Sequence, residues 1–146
     1  MRRLFAITAA ALVTLPALAR AAPESALDAA AKEKGAVKTP SGLVFLSMKE
    51  GTGPSPTARD TVKVNYEGKL PDGKIFDSSY QRGEPIEFPL NGVIPCWTEG
   101  LQKMKVGGVA KLTCPSSIAY GPRGMPPVIP PYATLIFKVE LLGVRK

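Results

Sequence analysis

From Thr61 to Glu67 apolar and polar residues alternate: Val62, Val64 and Tyr66 fall on one face, Lys63, Asn65 and Glu67 on the other. A period of two predicts a strand buried on one side. PDG at 71–73 is a strong turn signal, so KIFDSS at 74–79 is expected to return as the second arm of a hairpin. SGLVFLSMKEG (41–51) reads as an earlier strand closed by the Gly/Pro/Ser loop GTGPSPTARD. EPIEFPL (84–90) reads as a short strand with Ile86 and Phe88 on one face. VAKLTC (109–114) places Ala110, Leu112 and Cys114 together, and TLIFKVELLGV (134–144) aligns Leu135, Phe137, Val139 and Leu141.

The period changes once in this region. Trp97, Leu101 and Met104 stand at i, i+4 and i+7, one stripe of a helix. Pro95 suits the first helical turn, where its missing N–H costs nothing, and Gly107 is expected to supply the C-cap. This is the only convincing helix expected after residue 40. A proline-rich loop, SSIAYGPRGMPPVIPPYA (116–133), precedes the last strand. Strands, one short helix, then strands predict an α+β fold, an antiparallel β-sheet half-wrapped around one short α-helix with the tryptophan stripe as its plug.

Composition agrees. The chain has 146 residues, enough for one domain with a proper core, and its 15 prolines and 14 glycines favour a turn-rich sheet protein over a helix bundle. Residues 1–21 read as a cleavable signal peptide: Arg2 and Arg3 lead an apolar run from Leu4 to Ala19, broken by Pro16, with A-x-A sites after Ala19 and Ala21. The alternative, an uncleaved anchor, has a stretch short of the roughly 20 residues of a membrane span. No cysteine lies near the cleavage region, which excludes a lipoprotein anchor. Residues 22–40 form a short Ala/Lys/Glu leader, helical or flexible. Export makes the location periplasmic or secreted, with no membrane association after cleavage.

Without Arg2, Arg3 and Arg20 the formal charge falls from +7 to +4, spread in single Lys and Arg residues. That is a solvated surface rather than a nucleic-acid footprint. The chain has no histidine. A Ser-His-Asp triad, a Cys-His dyad and an ordinary His-ligated zinc site are therefore excluded, and no metal or other cofactor is expected. In an oxidising compartment the two cysteines are more often bridged than free.

The chemistry-bearing residues that converge are aromatic: Tyr66, Phe76, Trp97, Tyr120 and Phe137, with Asp77 after the turn and Val93 and Ile94 before the helix. One reading makes the aromatics plain core. The other makes them an apolar pocket with a few oriented polar groups, the usual form of a small-ligand site. An indole placed beside a Pro/Gly-rich loop favours the pocket.

VKVNYEGKLPDGKIFDSS, VIPCWTEGLQKMKVGG, IAYG and IPPYATLIFKVELL together resemble the macrolide-binding FKBP family of peptidyl-prolyl isomerases. The resemblance runs from about Ser41 to Val144, and four blocks in order make it specific. It implies an FKBP-like fold and an isomerase domain at 41–146. It also implies Trp97 as pocket floor, with Tyr66, Phe76, Val93, Ile94, Tyr120 and Phe137 as walls. Ile86, Phe88, Met125, Val128 and Ile129 would complete the substrate-binding surface. Asp77 matches the family's pocket carboxylate, in an orienting and electrostatic role; its alternative is a cap for the Ser78 or Ser79 amides. The Ile94 N–H and Tyr120 hydroxyl match substrate-holding donors.

Three positions depart from the pattern. Ile86 replaces an aromatic wall residue of some members, Met125 stands in the loop over the pocket, and Cys96 replaces a glycine common among relatives. In the implied fold Cys96 and Cys114 lie close, which implies a disulfide pinning the tryptophan helix. The implied activity is X–Pro isomerisation in exported proteins, with proline-containing polypeptides as substrates and macrolides as inhibitors; separately, the shortness of the leader favours a monomer. The alternatives are a non-catalytic chaperone or peptide-binding module using the same pocket and, with little support from one cysteine pair, a disulfide-stapled effector.

Overall fold

The computed structural model describes residues 25–146. The expected signal peptide, 1–21, and the start of the leader lie outside them. The rest of the leader is ordered: helix α1 (Ala26–Ala31) is capped by Ser25, whose side chain accepts from the Asp28 N–H at 3.1 Å, and strand β1 (Val37–Lys38) follows. Within this segment residues Ala26–Ala31 form the helix. It stops at Ala31 rather than running to Gly35, which turns the chain with φ +88°. Ala30 is buried, and Lys111 on β6 (Val109–Cys114) pairs with Glu33, which fastens the arm to the sheet.

The remaining elements are β2 (Val44–Lys49), β3 (Thr61–Lys69), β4 (Ile75–Ser78), α2 (Ser79–Arg82), β5 (Ile86–Pro89), α3 (Pro95–Leu101) and β7 (Leu135–Arg145). All pairings are antiparallel in the order β1-β2-β6-β7-β3-β4, with β5 also on β3. The alternation read in β3 and β7 is the observed burial. Val62, Val64, Val139 and Leu141 are fully inside, while the intervening residues face outward. PDG makes the expected turn, closed by the Leu70 N–H to the Lys74 carbonyl and the Gly73 N–H to the Leu70 carbonyl, with Gly73 at φ +93°.

The free edge of β3 is split. β5 pairs along Thr61–Val64 and β4 along Glu67–Lys69, leaving Asn65 and Tyr66 without a strand partner on that side. A buried amide must still be satisfied. The Tyr66 N–H donates to the Ser79 hydroxyl at 2.8 Å, and that hydroxyl donates to the Asn65 side chain at 3.0 Å. Ser79 thus docks α2 into the gap. This one-turn helix was not expected from the sequence, nor was α1 certain, so α3 is not the only helix.

α3 lies on the inner face with Pro95 in its first turn. Its end differs from the expectation. The cap residue is Gln102, not Gly107, which turns the chain five residues later at φ +95°. Lys103 and Met104 continue as a tapering turn through N–H bonds to Gly100 and Leu101, so Met104 keeps its place in the buried stripe with Trp97 and Leu101. Gly100 sets the depth of the helix: a β-carbon there would stand 2.9 Å from the Leu112 side chain. That close approach leaves Cys96 and Cys114 with Cα atoms 5.9 Å apart, joined by a disulfide and both fully buried.

Candidate active site

Between α3, the split edge of β3 and the loop after β6 lies a cavity of about 450 Å³. Trp97, 4% exposed, forms its floor. Tyr66, Phe88 and Phe137 meet the indole nearly perpendicularly, with ring centroids at 5.1, 5.5 and 5.4 Å. Such edge-to-face pairs lock ring orientations. Phe76 stacks edge-on to Phe137 at 5.6 Å, and Gly68 permits it: a β-carbon there would lie 2.6 Å from the Phe76 ring and 2.9 Å from Phe137.

Of the residues singled out in the sequence, Tyr66, Phe76, Asp77, Phe88, Val93, Ile94, Trp97, Tyr120 and Phe137 are brought together around this cavity. Four are not. Ile86 pairs with Val64 two positions before Phe88 and packs on the core beside the cavity. Ile129 is 2% exposed inside the core under the long loop. Met125 and Val128 stand at that loop's outer turn, 50% and 39% exposed, where Met125 and Ile129 pair through their backbones. As the molecule stands, these four do not line the cavity.

The polar rim has two parts. On one side Tyr66 donates to the Asp77 carboxylate at 2.5 Å. Arg82 donates to Asp77 at 2.5 Å and to the Tyr66 hydroxyl at 2.9 Å. Asp77 is therefore chiefly a partner of two side chains rather than a cap for the following amides. Burial pushes its carboxyl up, but the bonds from Tyr66 and Arg82 and the Arg82 charge outweigh that, leaving it below its usual 3.8. Burial, reinforced by the bond to Asp77, raises the Tyr66 phenol. On the other side the Ile94 N–H and the Tyr120 hydroxyl have no partner among the described residues. Burial and then the Asp77 charge raise the Tyr120 phenol, so it remains a donor at neutral pH. The indole N–H of Trp97 is also unpartnered and buried.

Arg82 is the rim residue that sequence reading missed. Its signal was the bracket around α2. Ser78 caps the Gln81 N–H at 3.3 Å and Gly83 ends the turn at φ +81°, which aims residue 82 back at Asp77. Gly92 also lines the cavity unannounced.

The network has a pH signature. A carboxyl depressed in the folded state contributes stability above its unfolded value and loses it as pH falls through the folded one. Asp77→Asn is expected to destabilise the protein by about 0.5–1 kcal/mol above pH 5, the range of a half-exposed pair. The gap should close below about pH 4. Urea midpoints of both proteins across pH 3–7 measure it, and a gap constant over that range would remove Asp77 from the account.

Residues 53–142 match the model of the FKBP-type peptidyl-prolyl cis-trans isomerases. The chain belongs to that family. It is 55% identical over 115 residues to the FKBP-type isomerase FkpA of Escherichia coli strain K12, covering 79% of this chain and 42% of FkpA. The crystal structure of FkpA from E. coli superposes with a TM-score of 0.79 at 53% identity, over 82% of this chain and 55% of that one. A peptidyl-prolyl isomerase crystal structure from Pseudomonas syringae gives 0.77 at 38% identity, over 82% and 88%. The chain spans about half the length of the curated relatives it matches, including 57% of a 22 kDa FKBP-type isomerase of E. coli. The fold is the one the resemblance implied.

Proposed function

We propose that the protein is a peptidyl-prolyl cis-trans isomerase that assists the folding of exported polypeptides, with residues 41–146 as the isomerase domain. The observation that carries this reading is an aromatic cavity floored by Trp97 with two unpartnered donors at its rim, the Ile94 N–H and the Tyr120 hydroxyl.

Rotation about X–Pro forms no bond and transfers no proton. Its barrier of about 18–20 kcal/mol is the loss of amide resonance. The planar imide is more polar than the twisted one, so a dry aromatic pocket disfavours the ground state relative to the transition state. The proline ring lies on the indole, the Ile94 N–H holds a substrate carbonyl, and Tyr120 supplies a second donor. Tyr66, Asp77 and Arg82 fix the polar wall, with Asp77 orienting by charge rather than attacking. Phe76, Phe88, Val93 and Phe137 exclude water. A ten-thousand-fold acceleration needs only about 5–6 kcal/mol of differential stabilisation.

The reading extends to export by cleavage of residues 1–21, to a periplasmic or secreted location, to a monomer and to macrolides as competitive ligands. Among the described residues no helix is long and apolar enough to cross a membrane. A non-catalytic peptide-binding module is the weaker reading, because Tyr66, Asp77 and Trp97 all stand at the cavity.

The test is an X–Pro exchange assay with the purified oxidised protein. Acceleration is expected, and its kcat/KM should be flat from about pH 5.5 to 8.5: no histidine is present, Asp77 titrates below that window, and both rim phenols are shifted upward. A folded protein that accelerates none of a panel of X–Pro peptides would return the assignment to the binding module.

A further inference from the structure

Beside the aromatic cavity a second, more open groove of about 780 Å³ runs along α3. The two meet at Val93, which borders both. Val93, Pro95 and Ile118 give the groove an apolar side; Thr98, Glu99 and Lys103 give it a polar one. Its polar groups are unequally free. The Thr98 hydroxyl is committed to the Leu90 carbonyl at 2.7 Å, and the Gln102 amide to the Thr98 carbonyl at 2.7 Å. Glu99 is held in place: the Ser41 hydroxyl donates to one of its oxygens, and Ser41 is bonded to Thr39 at 2.8 Å. The other Glu99 oxygen and the Asn91 side chain have no partner among the described residues. Lys103 is exposed and in no ion pair among them.

A fixed, partly buried carboxylate needs little further ordering to bind a charge, whereas an exposed lysine loses rotamer freedom and is screened. The residue before a proline is biased to extended backbone. At about 3.3 Å per residue, a chain leaving the cavity over Val93 reaches the groove within a few residues. We propose that the groove along α3 is a second substrate subsite, which receives the polypeptide flanking the isomerising proline and selects a Lys or Arg there through Glu99. The proposal rests on the isomerase reading of the neighbouring cavity.

The experiment uses the full oxidised protein and a short X–Pro core peptide, extended by three residues on its N-terminal or its C-terminal side with either Lys or Glu in the extension. Binding is read from the fluorescence of Trp97, the single tryptophan, and turnover from NMR exchange, each relative to the core peptide with the same variant. On one of the two sides the Lys-extended peptide should be favoured over the Glu-extended one by about 3- to 10-fold at low ionic strength, the ratio narrowing in 0.5 M salt. Glu99→Gln should bring the ratio to about one, and Ser41→Ala, which frees the carboxylate, should lower it part of the way. Equal ratios on both sides, a preference for Glu, or a Lys preference that survives Glu99→Gln each overturns the subsite. If the Lys-extended peptide binds in a Glu99-dependent manner while no peptide is isomerised, the isomerase reading falls and the groove remains only as a peptide-binding site, not a subsite of isomerisation.

Discussion

Replacing Trp97 by leucine is expected to lower kcat/KM for X–Pro isomerisation by about 10- to 100-fold, a loss of about 1.4–2.8 kcal/mol of transition-state stabilisation. The indole is the one surface that Tyr66, Phe88 and Phe137 all pack against edge-on. Leucine cannot orient those three rings, and it lowers and wets the floor of the cavity. The indole N–H has no partner among the described residues, so no hydrogen bond to them is lost with it. The stability cost is therefore packing alone, about 2–4 kcal/mol for a large-to-small change plus the ring pairs. A domain with 5–15 kcal/mol of stability should survive that with its disulfide intact. Circular dichroism and urea unfolding establish that the variant is folded; the exchange assay then reads the floor. A folded variant running at the parent rate would mean that the cavity binds proline without helping it rotate.

The parts of this site that could be read in the sequence are those on elements with a period. β3 and β7 each bury one face and wet the other, so alternation alone assigns Tyr66 and Phe137 inward. The Trp97 stripe survives to Met104 even though regular helix stops at Leu101, because the tapering turn keeps the same face inward. α2 is different. One turn is too short to display a 3.6-residue period, so Arg82 was invisible except through the Ser78 and Gly83 bracket. Its rim role depends on the Ser79 hydroxyl filling a gap in the sheet edge 13 residues away in sequence. The loop after β6 has no period at all. Side-chain direction there is set by tertiary contacts, so Ile129 turns into the core while Met125 and Val128 turn to solvent, which neither composition nor family likeness reveals. Gly107 misled for a related reason: a glycine after a helical stripe resembles a cap, but its N–H is spent on the Leu141 carbonyl at 2.8 Å, across to β7.

Removing the disulfide by a Cys96→Ala, Cys114→Ala double change is expected to cost about 3 kcal/mol, from the entropy that a closed loop of this length removes from the unfolded chain. The two residues are 18 apart in sequence. At about 2.1 cal/mol/K of unfolding entropy per residue, that lowers the Tm by roughly 10–15 °C. Both sulfurs are buried, and Gly100 already seats α3 against Leu112, so alanines should leave the helix where it is and little of the loss should come from disturbed packing. Acting through the unfolded state, the change should also raise the urea m-value, because a chain without the crosslink exposes more surface. The two observables together test the cause. A Tm drop with an unchanged m-value would place the loss in the folded state. A loss under about 1 kcal/mol would mean that Gly100, Leu101 and Trp97 hold the floor unaided. With the expected result, the cysteine pair stabilises the domain while the aromatic cage retains its geometry. The double variant should then isomerise X–Pro at close to the parent rate at 25 °C and lose activity only as it begins to unfold.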